Sequence, residues 1–164
     1  MAHHISGFIA PFDFLCEAST RFPGSRVTPL DLGFGFLPIT KHLVDDDEPG
    51  AFEQLKQLTP RLAAWAKRES RRFPLAYIET EYFCGVGGQA AIAWVCGKVV
   101  FGPISTPDLE LGGRILHTAL KDRAINRALR HLEVDRGFEE DEFDALGLGR
   151  YPSNEAWLTE SVLV

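Results

Sequence analysis

Glu79 and Glu81 stand two residues apart in Leu-Ala-Tyr-Ile-Glu-Thr-Glu-Tyr-Phe, residues 75–83. In a strand, positions two apart leave the same face of the sheet, so both carboxylates would share one surface. Such a pair can act as general acid and base or as half of a metal site, and burial against an aromatic would raise its pKa toward that work. Folding the chain back about residues 85–88 predicts Ile92 opposite Glu81 and Trp94 opposite Glu79. No histidine lies close in sequence, so a catalytic version would have to draw in His117 from afar. The plainer explanation is a solvated sheet face, where acids are commonplace.

Cys84, His117 and Asp122 can be written as nucleophile, base and orienting acid. That chemistry needs a thiolate, a base within hydrogen-bond reach and oxyanion donors, and sequence order sets none of those distances. A small residue at a strand end is the simpler account of Cys84. Gly85-Val86-Gly87-Gly88-Gln89-Ala90 fits the G-x-G-x-x-A dinucleotide fingerprint and follows strand-like residues. The fingerprint requires a helix next, to receive the pyrophosphate on its N-terminus. Residues 91–95 run instead into Cys96-Gly97, a two-residue hairpin turn. Turn chemistry explains these glycines, and no cofactor is expected.

Metal ligands are scattered. His117 and His131, placed on one helix, would stand about 21 Å apart. Asp45-Asp46-Asp47-Glu48 lacks the alternating oxygen ligands and central glycine of an EF-hand loop. Cys16, Cys84 and Cys96 form no C-x-x-C pair, which argues against a zinc ribbon or a disulfide framework. No metal is expected.

Positioning these groups falls to a mixed set of elements. Residues 4–10 read as a strand, and a helix should run from Pro11 to about Phe22, where Pro23-Gly24 stops it. Leu30, Leu32, Phe34 and Phe36 alternate with polar and small residues, which predicts a half-buried strand ending at Pro38. Phe52, Leu55 and Leu58 recur at helical spacing. Thr59-Pro60 is an N-cap followed by proline at the first helical position, and the helix it opens should reach Phe73. Residues 75–83, 89–95 and 98–102 predict a three-stranded antiparallel meander. Residues 103–113 then read as a loop, and 114–132 as a long amphipathic helix stepping through Leu116, Leu120, Ala124, Ala128 and Leu132. A short helix through Phe143 and Leu146 ends at Gly147, and Trp157 should dock on the core. The expected fold is α+β, a single domain over residues 1–164. Its antiparallel sheet should carry the helices 60–73 and 114–132 on its apolar side.

Composition narrows the function classes. The chain has 164 residues, 45% hydrophobic and 24% charged, which is ordinary for a globular domain. Lys and Arg number 17 against 23 Asp and Glu, a net charge of −6. A general nucleic-acid binder would need a basic face, so no nucleic acid is expected. The N-terminal residues lack a basic stretch and a long apolar run, and no stretch approaches a membrane span. A cytoplasmic location follows by elimination.

Three stretches carry a resemblance: Glu81-Tyr82-Phe83-x-Gly85-x-Gly87-x-Gln89-Ala90, Ile125-Asn126-x-Ala128-Leu129, and Asp141-Glu142-Phe143-Asp144-Ala145-Leu146-Gly147-Leu148-Gly149-Arg150. Together they resemble a set of uncharacterised bacterial proteins of similar length, over roughly the C-terminal half. That set is similar in style to small acidic immunity proteins that accompany secreted toxins. The resemblance implies a bacterial, cytosolic, single-domain protein and transfers no catalytic residue. Cys84 stands where such sequences are expected to carry glycine.

Two functional expectations follow. The first is a non-enzymatic protein-binding module of the immunity type, neutralising a basic partner, a toxin, by occlusion. Asp45, Asp46, Asp47, Glu48, Glu79, Glu81, Glu139, Glu140, Asp141 and Glu142 would present the complementary charge. The second is a small hydrolase or metal-dependent enzyme built on Glu79, Glu81 and His117.

Overall fold

Both parities of the central strands are apolar and buried: Phe8 with Ile9, Tyr77 with Ile78, Ile92 with Ala91. Strands of that kind must be covered on both faces. The computed structural model, which describes residues 2–160, meets this demand. The ends of the expected 1–164 domain, residue 1 and residues 161–164, lie outside the described residues.

One antiparallel sheet of seven strands organises the chain: β1 (Ala2–His3), β2 (Ser6–Pro11), β3 (Thr28–Pro29), β4 (Phe34–Pro38), β5 (Leu75–Phe83), β6 (Val86–Val95) and β7 (Lys98–Pro107). The spatial order is β3-β4-β2-β5-β6-β7, and β1 pairs with the far end of β5. The predicted meander is present as β5-β6-β7, with β6 and β7 longer than expected. The fold is α+β in a single domain, as the alternation and tight turns required.

On one face lie α1 (Phe12–Ala18), α2 (Pro60–Glu69) and the connection before α2. They bury Leu15, Leu55, Leu62 and Trp65 against Phe8, Tyr77, Ile92 and Trp94. On the other lie α3 (Ala124–Arg130), α4 (Glu142–Leu146) and α5 (Asn154–Glu160). These bring Ile125, Leu129, Leu146 and Trp157 onto Ile9, Phe36, Ile78 and Ala91. The expectation of one apolar side is therefore corrected: the helices beginning at 60 and 124 pack on opposite faces. Thr59 caps α2, its Oγ1 accepting from the Leu62 amide at 3.3 Å, and Gly147 terminates α4.

Four local expectations also change. Leu32 does not continue a strand but sits at φ 60° in a 3-10 turn, 59% exposed, and the strand starts only at Phe34. Phe52, Leu55 and Leu58 belong to a tight bridge between Phe52 and Leu55, not to a helix; their spacing reflects two buried leucines in an irregular loop. Residues 103–113 are largely paired, first in β7 and then in the hairpin β8 (Leu109–Leu111) to β9 (Arg114–Leu116). The helix expected over 114–132 shrinks to α3, because Gly112 and Gly113, at φ 59° and 76°, turn the chain back and pair Leu116 with Leu109. His117 and His131 consequently share no helix.

Candidate functional site

Glu79 and Glu81 lie on the α2 face of β5, but not where the predicted register put them. The β5–β6 connection is the two-residue turn Cys84-Gly85, so Glu79 pairs with Ala90 and Glu81 with Gly88. Trp94 faces Leu75 at the other end of the strand pair, and no aromatic wall stands opposite either acid on β6. Beyond β6 the rows continue to Ser105 and Pro107. Gly88 has to be small here: a Cβ would stand 2.9 Å from the Pro107 Cα. The result is a floor of small residues under an open groove of about 820 Å³, with the 53–57 segment along one side and Phe83, Val86 and Asp108 at the end.

Glu79 is half-buried and its oxygens are occupied. Oε1 accepts from the Gln57 amide at 2.8 Å and from the Tyr77 hydroxyl at 2.9 Å, while Oε2 accepts from the Lys56 amide at 3.2 Å. The carboxylate thus fastens the loop before α2 to the sheet. Burial, and then the Glu79 charge, push the Tyr77 phenol well above its ordinary pKa, which keeps it a hydrogen-bond donor. Glu81 is exposed and faces Lys56 Nζ at 3.9 Å, both side chains being more than 70% exposed. An exposed pair of that kind contributes little to stability.

His117 does not join the two glutamates. Its Nδ1 lies 3.0 Å from Asp108 Oδ1, and Asp108 Oδ2 accepts from the Gly87 amide at 3.0 Å. Asp108, not Asp122, is therefore the acid beside His117. Asp122 lies exposed in a 3-10 turn, and Cys84 is exposed at the β5–β6 turn. His117 borders a second cleft of about 430 Å³ with Tyr82, Gln89, Arg123, Phe143 and Asp144. Burial raises the Tyr82 phenol, with Arg123 opposing and Asp108 adding to the shift. Burial also raises Asp144, followed by the charges of Asp141, Glu140 and Glu139, with Arg123 opposing.

The acidic runs divide. Asp45, Asp46 and Asp47 are exposed, and Glu48 pairs with Arg61 at 3.2 Å, which holds its carboxyl below the ordinary range. Glu139 and Glu140 are exposed. Asp141 and Glu142 are buried in the fold: Asp141 caps α4 on the Asp144 amide at 2.8 Å and accepts from Asn126 Nδ2 at 2.9 Å, and Glu142 binds Arg130 at 3.0 Å.

One surface escaped the sequence reading. In the β8–β9 ribbon all six strand residues are exposed, including Leu109, Leu111, Ile115 and Leu116. Phe83, 72% exposed, and Val86 add apolar area at the neighbouring turn, where Asp108 is hydrogen-bonded to Gly87. Gly-Gly between alternating aliphatic residues was the available signal.

Among the described residues, no three His, Cys, Asp or Glu side chains come together as a metal-binding group, and no helix is long and apolar enough to cross a membrane. Comparison of the chain with family models, curated proteins and solved structures finds no match in any of the three.

Proposed function

We propose that this protein is a non-enzymatic binding module of the immunity type, which covers the working surface of a basic protein partner. The observation that carries the reading is the β8–β9 ribbon. A two-stranded ribbon has little stability of its own, and this one exposes Leu109, Leu111, Ile115 and Leu116 to water. Leu109, Leu111 and Leu116 share one face of the ribbon and Ile115 takes the other, and contiguous exposed aliphatic residues on such an element mark a surface that a partner covers. Arg114 stands opposite Leu111 on the leucine face, while Glu110 on the other face, Glu81 in the groove and a chain total of −6 make the wider surroundings acidic. Acid charge around an apolar centre steers a basic partner and sets its orientation.

The hydrolase or metal-enzyme alternative on Glu79 and Glu81 has weaker support. Three donors already hold Glu79, Glu81 is solvated, and His117 is turned to Asp108.

The test is affinity capture from the native host with the wild-type chain and with a Leu109→Ser, Leu116→Ser double variant. The expected result is a basic protein retained at low salt by the wild type and lost by the variant, with the two chains melting alike. Equal capture by both chains overturns the assignment of the ribbon. Failure of the wild type to retain any basic protein overturns the binding-module reading.

A further inference from the structure

The cleft on the α3 side of the sheet has a chemistry of its own. Tyr82 from β5 and Gln89 from β6 supply one wall, Arg123 at the start of α3 and His117 a second, and Phe143 and Asp144 of α4 a third. Its volume of about 430 Å³ falls in the range of small-molecule sites.

Arg123 is the arginine of that lining. Arg61, Arg72, Arg130 and Arg150 each meet a carboxylate, at 3.2, 3.1, 3.0 and 2.9 Å. Arg123 is half-buried, and its Nε donates to the Thr118 carbonyl at 3.2 Å. Among the described residues its two terminal nitrogens have neither a hydrogen bond nor a carboxylate within ion-pair distance. A guanidinium fixed at Nε and open at its fork is a ready partner for a planar carboxylate. Tyr82 and the His117 ring line the same cleft, with His117 Nδ1 held by Asp108.

The opposite wall has the opposite sign. Asp144, with Glu140 and Asp141, lines the same cleft, and these carboxylates crowd one another. They would repel a phosphate dianion and would welcome an ammonium group. Phe143 and Leu120 offer apolar contact between the two poles.

We propose that this cleft binds a small zwitterion of the α-amino-acid class, its carboxylate held by Arg123 and Tyr82 and its ammonium by Asp144. The site shares His117 with the base of the ribbon but uses none of the ribbon's exposed leucines.

The test is titration of the full chain, followed by amide chemical shifts, with the standard L-amino acids, propionate and inorganic phosphate as separate probes. One or more amino acids should bind, with shifts centred on Tyr82, His117, Arg123 and Asp144. Arg123→Gln should weaken that binding roughly tenfold or more, the loss expected for charge-assisted hydrogen bonds. Asp144→Asn should weaken the amino acid while leaving propionate binding unreduced. Arg123→Lys keeps the charge and loses the fork, so it should also bind weakly; it replaces the glutamine variant if that chain does not fold. The proposal is overturned if no amino acid binds, if phosphate or propionate binds the wild type as tightly as every amino acid, or if the Arg123 variants bind undiminished.

Discussion

Asp108 and His117 face each other at 3.0 Å from either side of the β8–β9 ribbon, one residue before β8 and one after β9. With the Gly87 amide on its second oxygen, Asp108 ties the base of the ribbon to the end of β6. The Asp108 amide also donates to the Gly87 carbonyl, and in an element whose strand residues are all exposed these contacts at Asp108 set its order.

Asp108→Ala should therefore loosen the ribbon selectively. Amide exchange at Leu109, Leu111 and Leu116, in the hydrogen-bonded pairs of the ribbon, should speed up while the amides of Ile78 and Ala91 keep their protection. The variant removes two side-chain contacts, and the loss, about 1–2 kcal/mol, should fall on opening of the ribbon and leave the global unfolding free energy nearly unchanged. Exchange that speeds up equally in β5 and β6 would show that Asp108 supports the whole sheet instead.

Glu79 predicts a loop-clamp phenotype. Glu79→Ala releases the exposed amides of Lys56 and Gln57 to water and takes the carboxylate acceptor from the Tyr77 hydroxyl, and should destabilise by about 1–2 kcal/mol in urea unfolding. Tyr77→Phe alone should cost about 1 kcal/mol. In the double variant the losses should fall short of the sum, because both remove one shared bond. Strict additivity would mean that the Tyr77–Glu79 bond contributes nothing.

These contacts mark where the sequence was legible and where it was not. Thr59-Pro60, Cys96-Gly97 and the β-branched and aromatic run at 75–83 carry their own local signals, and each stands in the structure as read. Leu116 and Leu120 matched a helical period by coincidence; the Gly112-Gly113 turn outweighed it by pairing Leu116 with Leu109. The register of Glu79 turned on the length of one turn, and a change of a few residues there moved its neighbour from Trp94 to Ala90. Asp108 with His117, and Arg123 with Tyr82, meet only through tertiary folding, so spacing along the chain carried no trace of either pair.

Asn126 extends that point to a buried amide. It is fully buried: Nδ2 donates to the Leu120 carbonyl at 2.8 Å and to Asp141 Oδ2 at 2.9 Å, and Oδ1 accepts from the Phe143 amide at 2.9 Å. One side chain thus joins the turn before α3, α3 itself and the start of α4. Asn126→Ala leaves the buried Asp141 carboxylate and the half-buried Leu120 carbonyl and Phe143 amide without this partner and should destabilise by roughly 2–4 kcal/mol. Asn126→Asp places a second carboxylate against Asp141 and should be at least as damaging at neutral pH. Denaturant midpoints check both, and a loss under about 1 kcal/mol for the alanine variant would contradict the bridge.

His3 sets a limb of the pH-stability curve. Its Nδ1 lies 2.8 Å from the Thr80 hydroxyl, which accepts from the Ile5 amide at 3.0 Å and faces the His3 carbonyl at 3.5 Å. Burial lowers the His3 pKa below its ordinary 6.5, with the backbone at Leu148 opposing, His4 adding and the backbone at Tyr151 opposing. The unfolded chain then binds this proton more readily than the folded one, so His3 favours the fold fully above pH 6.5 and progressively less as pH falls through the lowered value. Asp144 has the opposite sign, since its raised pKa relieves the fold on acidification, and the raw curve sums the two. The difference between wild type and His3→Gln isolates the histidine. Stability measured by urea unfolding between pH 7.5 and 5, a range of order the histidine titration, should fall more steeply for the wild type than for the variant. Parallel curves would mean that the imidazole takes up its proton equally in both states.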